Sequence, residues 1–363
     1  MKILTTILLF SLLALIFASC SKDSELPIAQ DHETEYTYIR AGFGPLTYAT
    51  APSASAELRL FSVAFFIETA DGTFHKYMSH RSTSDPVGQG IKGDFEAVVM
   101  STNNYNYEGV TIKMEGLVYG PMRVAVVGNY DTERGVGIED KLVAVENMDE
   151  LLGMKLDAPQ AGIFVNLLTY DYQIIDMTNA LSTNISFNMK RAAARVVMPF
   201  VFTANGSPLD LSGPIKKNLA ECSLMVYNPK SGTYLIDPAL DNTLSAAEAV
   251  AKINAIPQRE YMGPIKFTTA GNTILGIPDS HFLFYTYEMA GSDANNLEVY
   301  VILKVRASTN DPWQEQIHAV LGYESTGGKT VIKRNAAYIV DNPYNIDVDT
   351  DGWNEGGIWG IFN

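Results

Sequence analysis

Alternation of side chains along short runs limits the folds open to this chain more than any other feature. Residues 297–307, LEVYVILKVRA, put Leu297, Val299, Val301, Leu303 and Val305 on one side. Glu298, Tyr300, Lys304 and Arg306 fall mostly on the other. A period of two describes a strand with one face on a core and one in water. Similar β-branched and aromatic runs recur at Leu58–Ile67, Phe74–Met78, Phe95–Met100, Val110–Val118, Arg123–Asn129 and Tyr172–Met177. Others follow at Ile163–Leu167, Asn184–Thr203, Ser280–Met289 and Gln316–Gly322. Turn residues such as Ala70-Asp71-Gly72 separate them. Met122–Gly128 is nearly continuously apolar, which predicts a central strand buried on both faces. Ser223–Asn228 and Tyr234–Ile236 read as a hairpin across Pro229–Gly232.

Helices are few and short. Asn147 is placed to cap one over 147–155, with Asp149 and Glu150 in its first turn. Ser245 and Glu248 form a capping box that opens a second, to about Asn254. At 363 residues the chain is long for one domain. A boundary near residue 182 gives two halves, 41–182 and 183–352, each with about seven short strands and a helix. The expected fold is all-β, two tandem β-sandwiches.

The N-terminus reads as an export signal. Lys2 precedes an apolar run from Ile3 to Phe17, and Ala18-Ser19-Cys20 follows. The alternative is an N-terminal membrane anchor, for which the run is short. Phe-Ala-Ser-Cys resembles a bacterial lipoprotein box, which makes Cys20 the lipidated first residue after cleavage. Residues 21 to about 35 are polar and acidic and read as a tether.

Composition narrows the chemistry. Forty-one acidic against 26 basic residues give a net charge of −15, which disfavours nucleic acid as a partner. The same charge leaves the lipid of the precursor as the route to a membrane. Two cysteines and five scattered histidines leave little material for a zinc or iron–sulfur centre, and no cofactor is expected. Cys222 reads as an inert strand thiol, and His75 and His80 do not converge. Asp347, Asp349 and Asp351 before Gly352 match the opening of a calcium loop, but Ile358 stands where the closing Glu belongs. A solvated acidic linker fits that segment as well.

Two segments ask for another explanation. Glu35–Gly44 is a strand-like stretch, YTYI, that ends in Arg40 followed by Ala41, a tryptic-type cleavage site. The C-terminal segment 353–363 is aromatic and hinged at Gly356-Gly357. It presents Ile358, Gly360 and Phe362 to one side and Trp359 and Ile361 to the other. Left unpaired, such a strand invites aggregation, so it needs a groove.

In this order along one chain, these features resemble the FimA-type fimbrillins, subunits of type V fimbriae of Bacteroidales. The carriers are Cys20, the Arg40-Ala41 site, the run Met189–Val197 (MKRAAARVV), the late strand Lys333–Val340 (KRNAAYIV) and the hydrophobic tail. The resemblance implies two transthyretin-like β-sandwiches behind a lipoprotein signal peptide (1–20) and a removable segment (21–40). It implies an outer-membrane precursor lipidated at Cys20 and cut after Arg40 by an Arg-specific surface protease. The donor strand would be Ile358, Trp359, Ile361 and Phe362 within 353–363, entering a copy of itself or another fimbrial subunit. Adhesion to host proteins or glycans would follow, without catalysis. The rank of stalk, tip or anchor stays open. So do a surface glycan-binding lipoprotein using Trp313, Trp353 and Trp359, and a calcium-dependent enzyme using Asp347–Asp351.

Overall fold

The computed structural model describes residues 35–44, 60–79, 93–101, 107–131, 137–157, 167–179, 181–204, 207–208, 219–268, 281–289, 297–305, 310, 312, 314–322, 332–339 and 344–347. They fold mainly as short strands with a few short helices, so the chain is all-β in class. In chain order the first strands are β1 (Tyr36–Phe43), β2 (Val63–Glu68), β3 (Phe74–Ser79), β4 (Ala97–Met100), β5 (Tyr107–Glu115) and β6 (Gly120–Gly128). Helices α1 (Glu139–Ala144) and α2 (Met148–Gly153) lead to β7 (Lys155–Asp157), β8 (Thr169–Met177), β9 (Ser182–Phe187) and β10 (Lys190–Arg191). One sheet has the order β4-β5-β1-β9 and a second β10-β8-β6-β2-β3.

These two sheets pack face to face. Ile39 and Ala41 of β1 and Val110, Ile112 and Met114 of β5 meet Val63, Phe65 and Ile67 of β2 and Met122, Val124 and Val126 of β6. Phe65 is the aromatic centre, edge-on to Phe95 at 5.8 Å and to Phe187 at 5.5 Å. The second sheet is also covered on its other face. There Ala64, Phe66, Ala125, Val127, Tyr170 and Tyr172 pack against Leu142 of α1 and Met148, Leu151 and Leu152 of α2. Burial on both sides explains why Val63–Ile67 of β2 and Val124–Val127 of β6 are continuously apolar rather than alternating.

The second helix is capped as its sequence predicts, with the Asn147 side chain accepting from the Glu150 N–H at 2.8 Å. The first has no side-chain cap at its start, and nothing local announced it. Its last carbonyls are satisfied from β3, where Lys76 Nζ donates to Val143 O at 2.6 Å and Val145 O at 3.0 Å.

From Ala194 onward the strands belong to other sheets. They are β11 (Ala194–Ala204), β12 (Ser207–Pro208), β13 (Leu219–Tyr227) and β14 (Gly232–Tyr234). Helix α3 (Ala246–Asn254) follows, then β15 (Tyr261–Thr268), β16 (His281–Thr286), β17 (Glu298–Val305), β18 (Gln314–Gly322), β19 (Ala337–Ile339) and β20 (Tyr344–Asp347). The capping box of Ser245 and Glu248 is formed. Strand β11 is flanked by β12 and β16 antiparallel and by β19 and β20 parallel, while another sheet runs β15-β13-β17-β18. On β17 the alternation is realised: Val299 and Val301 are fully buried and Glu298 is exposed.

Two readings are corrected. The run 184–203 is not one strand but parts of three, because β9 and β10 still belong to the first two sheets and the chain leaves them at Ala192-Ala193. The hairpin across Pro229–Gly232 does not form either. Asn228 turns the chain at φ 57°, and β14 pairs with β7 instead, while β13 lies between β15 and β17. Gly232 is needed there, since a Cβ would stand 2.4 Å from the Leu156 carbonyl oxygen.

The β7–β14 pair and one buried cation join the early and late strands. Arg334 lies 5.3 Å from the Tyr170 ring centroid. It donates to Tyr234 O at 3.2 Å and Thr233 Oγ1 at 2.9 Å, and it pairs with Glu288. All of this is out of water, so neither charge tolerates loss of the other. Replacing Arg334 with Leu should lower the unfolding free energy by about 3–5 kcal/mol, with much of the loss recovered in the Arg334→Leu/Glu288→Leu double variant. Urea denaturation of the three chains checks this.

Candidate functional site

The Arg40-Ala41 bond lies inside β1, an interior strand of its sheet. On one edge β1 runs antiparallel to β5, from Tyr36 opposite Glu115 to Gly42 opposite Gly109. On the other it runs parallel to β9, from Tyr38 opposite Ser182 to Phe43 opposite Phe187. Its alternation is strict over the first six residues. Thr37, Ile39 and Ala41 are buried, Tyr36 and Tyr38 are half-buried, and Arg40 is exposed. Lys113 Nζ sits 3.7 Å from the centroid of the Tyr36 ring on the outer face.

Both edges of β1 are held around the Arg-Ala bond. Arg40 faces Thr111 on β5 and Asn184 on β9. A protease that binds substrate as an extended strand needs those edges free, so cleavage requires local opening of β1. The Arg40 side chain is exposed, while the bond that follows it is covered by the ladder on both edges.

Two residues that the sequence did not single out support this strand. Gly109 lies on β5 opposite Gly42, where a Cβ would stand 2.9 Å from the Ala41 carbonyl oxygen. A glycine inside an otherwise β-branched strand was the available signal. Thr37 is the other. Its hydroxyl donates to Gly116 O at 2.9 Å and accepts from the Val118 N–H at 3.0 Å. The Gly116 N–H in turn donates to Glu35 O at 2.7 Å. Residues 116–119 carry the chain from β5 in one sheet to β6 in the facing one, with Gly116 at φ 83°. The start of β1 therefore ties down the corner between the two sheets.

Other residues considered from the sequence fall elsewhere. Cys20, Asp349, Asp351 and the tail residues Ile358, Trp359, Ile361 and Phe362 lie outside the described residues, as do His80, Trp313, Trp353 and Trp359. Asp347 closes β20. Cys222 lies on β13, opposite Phe267 of β15 and Leu303 of β17. Half-buried His75 stacks on Tyr77 at 6.5 Å, and burial holds its pKa below the ordinary value. Among the described residues no group of three or more His, Cys, Asp or Glu side chains could hold a metal ion. Among them, too, no helix is long and apolar enough to cross a membrane.

No family model matches the chain, and no curated protein matches it. Solved structures do. One, from Bacteroides eggerthii and named for a role in cell adhesion, is 12% identical with a TM-score of 0.51, over 89% of this chain and 90% of its own. A fimbrial assembly protein from Parabacteroides distasonis is 14% identical with a TM-score of 0.42, over 88% and 93%. At such identity the likeness is one of fold, and the first of the two carries it.

The geometry at Gly109 makes a direct prediction. Gly109→Ala should press on the Ala41 carbonyl, loosen β1 and lower the melting temperature. Cleavage after Arg40 by a trace of Arg-specific protease should become several-fold faster, as read by intact mass over time. An unchanged rate would mean that opening of β1 does not limit the cut.

Proposed function

We propose that this chain is a structural subunit of a cell-surface fimbria, made as an outer-membrane lipoprotein and polymerised by strand exchange. In this reading the signal peptide is cut away just before Cys20, and Cys20 carries the lipid. An Arg-specific protease removes residues up to Arg40. The segment Ile358–Phe362 of one subunit then enters the slot of the next, and the assembled fibre serves adhesion. Two tandem transthyretin-like sandwiches form the body of the subunit, divided not near residue 182 as expected but at Ala192-Ala193, where the chain leaves the first two sheets.

One observation carries the proposal. The segment that ends in Arg40 is an interior strand whose removal leaves β5 and β9 facing each other across a strand-wide gap. The residues that follow the cut stay behind. Ala41 is in the core between the sheets and Phe43 packs 6.1 Å from Phe65, so one end of the gap keeps its register. Backbone bonds on both edges give affinity at about 1 kcal/mol net each, and a buried residue in place of Ile39 adds roughly 1.5–3 kcal/mol. Groove and tail are different surfaces, so the contact repeats head to tail and does not close. The fold likeness to the Bacteroides eggerthii protein supports the reading, as do the lipoprotein box and the aromatic tail.

The test is digestion of the purified full chain with an Arg-specific protease, followed by intact mass and negative-stain microscopy. Loss of residues 1–40 with growth of filaments is expected, and Ile358→Asp/Phe362→Asp should leave folded, cut monomers. A cut chain that stays monomeric with its tail present would refute polymerisation by this route.

A further inference from the structure

Thr37 occupies a position that no apolar side chain can serve. It is fully buried, and its hydroxyl works in both directions, donating to Gly116 O at 2.9 Å while accepting from the Val118 N–H at 3.0 Å. Both partners belong to the connection between β5 and β6 and not to β1. If β1 leaves, they stay. Val118 is itself buried, so its N–H would face the interior without an acceptor. Two residues along, Ile39 is fully buried in the core between the sheets and is served by any branched apolar side chain of similar size.

Resting on the strand-exchange reading above, we infer that the slot of β1 is selective for a strand bearing a hydroxyl at the Thr37 position, two residues before an aliphatic residue. The partner is thus a segment of the pattern Ser/Thr-x-Ile/Val, running antiparallel to β5 and parallel to β9. Two constraints define the register. A shift by one residue would send the hydroxyl to solvent and an outward side chain into the core. A shift by two would place the hydroxyl among Phe65, Val110 and Ile112 or beyond the corner. The tail 353–363 contains no Ser or Thr. In the same register it would offer the corner a glycine or an apolar residue, so it is the weaker occupant. A donor that carries the hydroxyl is the stronger one, so where both are present it displaces the tail of a like subunit from the slot.

The experiment uses the full chain nicked after Arg40 with both pieces still associated. Labelled peptides spanning residues 35–40 compete for the slot, with Thr, Ser or Val at position 37, alongside a peptide of residues 353–363. Thr and Ser should compete equally. Val, which has the shape of Thr without the hydroxyl, should need about 10- to 100-fold more peptide, the cost of one buried backbone group left unsatisfied. The tail peptide should fall with Val. Hydrogen exchange at the Val118 amide gives a second reading: protected under the Thr and Ser peptides, unprotected under Val. Equal competition by Thr and Val, or a tail peptide as strong as Thr, overturns the selectivity. If no peptide, the tail included, displaces residues 1–40, strand exchange itself fails and the selectivity falls with it.

Discussion

Burial of one sheet on both faces is the constraint on which the described structure rests. In β2 from Val63 to Ile67 and in β6 from Val124 to Val127 every side chain is apolar, because one neighbour is the facing sheet and the other is a layer of helices. Val63, Phe65 and Ile67 serve the first, and Ala64 and Phe66 serve the second. Each face of β2 carries one phenylalanine, Phe65 toward the facing sheet and Phe66 toward the helices, with smaller apolar residues beside it. Strand β1, which carries Arg40, is not part of this middle sheet. It lies across from it, in a sheet whose outer face carries Tyr36, Tyr38 and Arg40. Losing it would expose one side of a core whose other walls are held from behind.

The same layering explains which parts of the fold could be read in advance. Strand β17 alternates and α3 carries its own cap, so each announces itself within ten residues. Strand β6 is legible as a central strand because two-sided burial leaves a composition that nothing else needs. The rest depends on partners far away in the chain. Helix α1 is finished by Lys76, and β14 pairs with β7 across more than 70 residues. Neither leaves a local mark, which is why a turn-rich stretch before β14 imitates a hairpin. At the site, a strand ending in Arg was legible. That its two edges are both bonded was not, because β5 and β9 are assigned to it by tertiary packing alone. Thr37 in YTYIR looks like any strand threonine until the corner at Gly116 is placed beside it.

Exposure and protection are therefore divided within one short segment. The guanidinium of Arg40 is in water while the bond that follows it is in a ladder, and Ala41 is already in the core. Such a strand resists casual proteolysis and yields only when it opens. The free energy of that opening is small wherever few contacts hold the end of an element. Here the end is held at the corner, through Glu35, Thr37 and the ring of Tyr36 under Lys113. The threonine that helps to hold β1 in place is also the one that, under the proposed exchange, would select its replacement.

The parallel pairing of β1 with β9, beside its antiparallel pairing with β5, has a mechanical meaning. A strand at a sheet edge, pulled sideways, unzips one bond at a time. A strand flanked on both sides and pulled along its length loads its rungs together, and they must fail together. A segment seated in this position and pulled along its length would be loaded in shear. The junction would then be limited by the rate of a concerted rupture rather than by the modest strength of each bond. In a fibre joined as proposed, flow across a surface would draw such joints taut without peeling them.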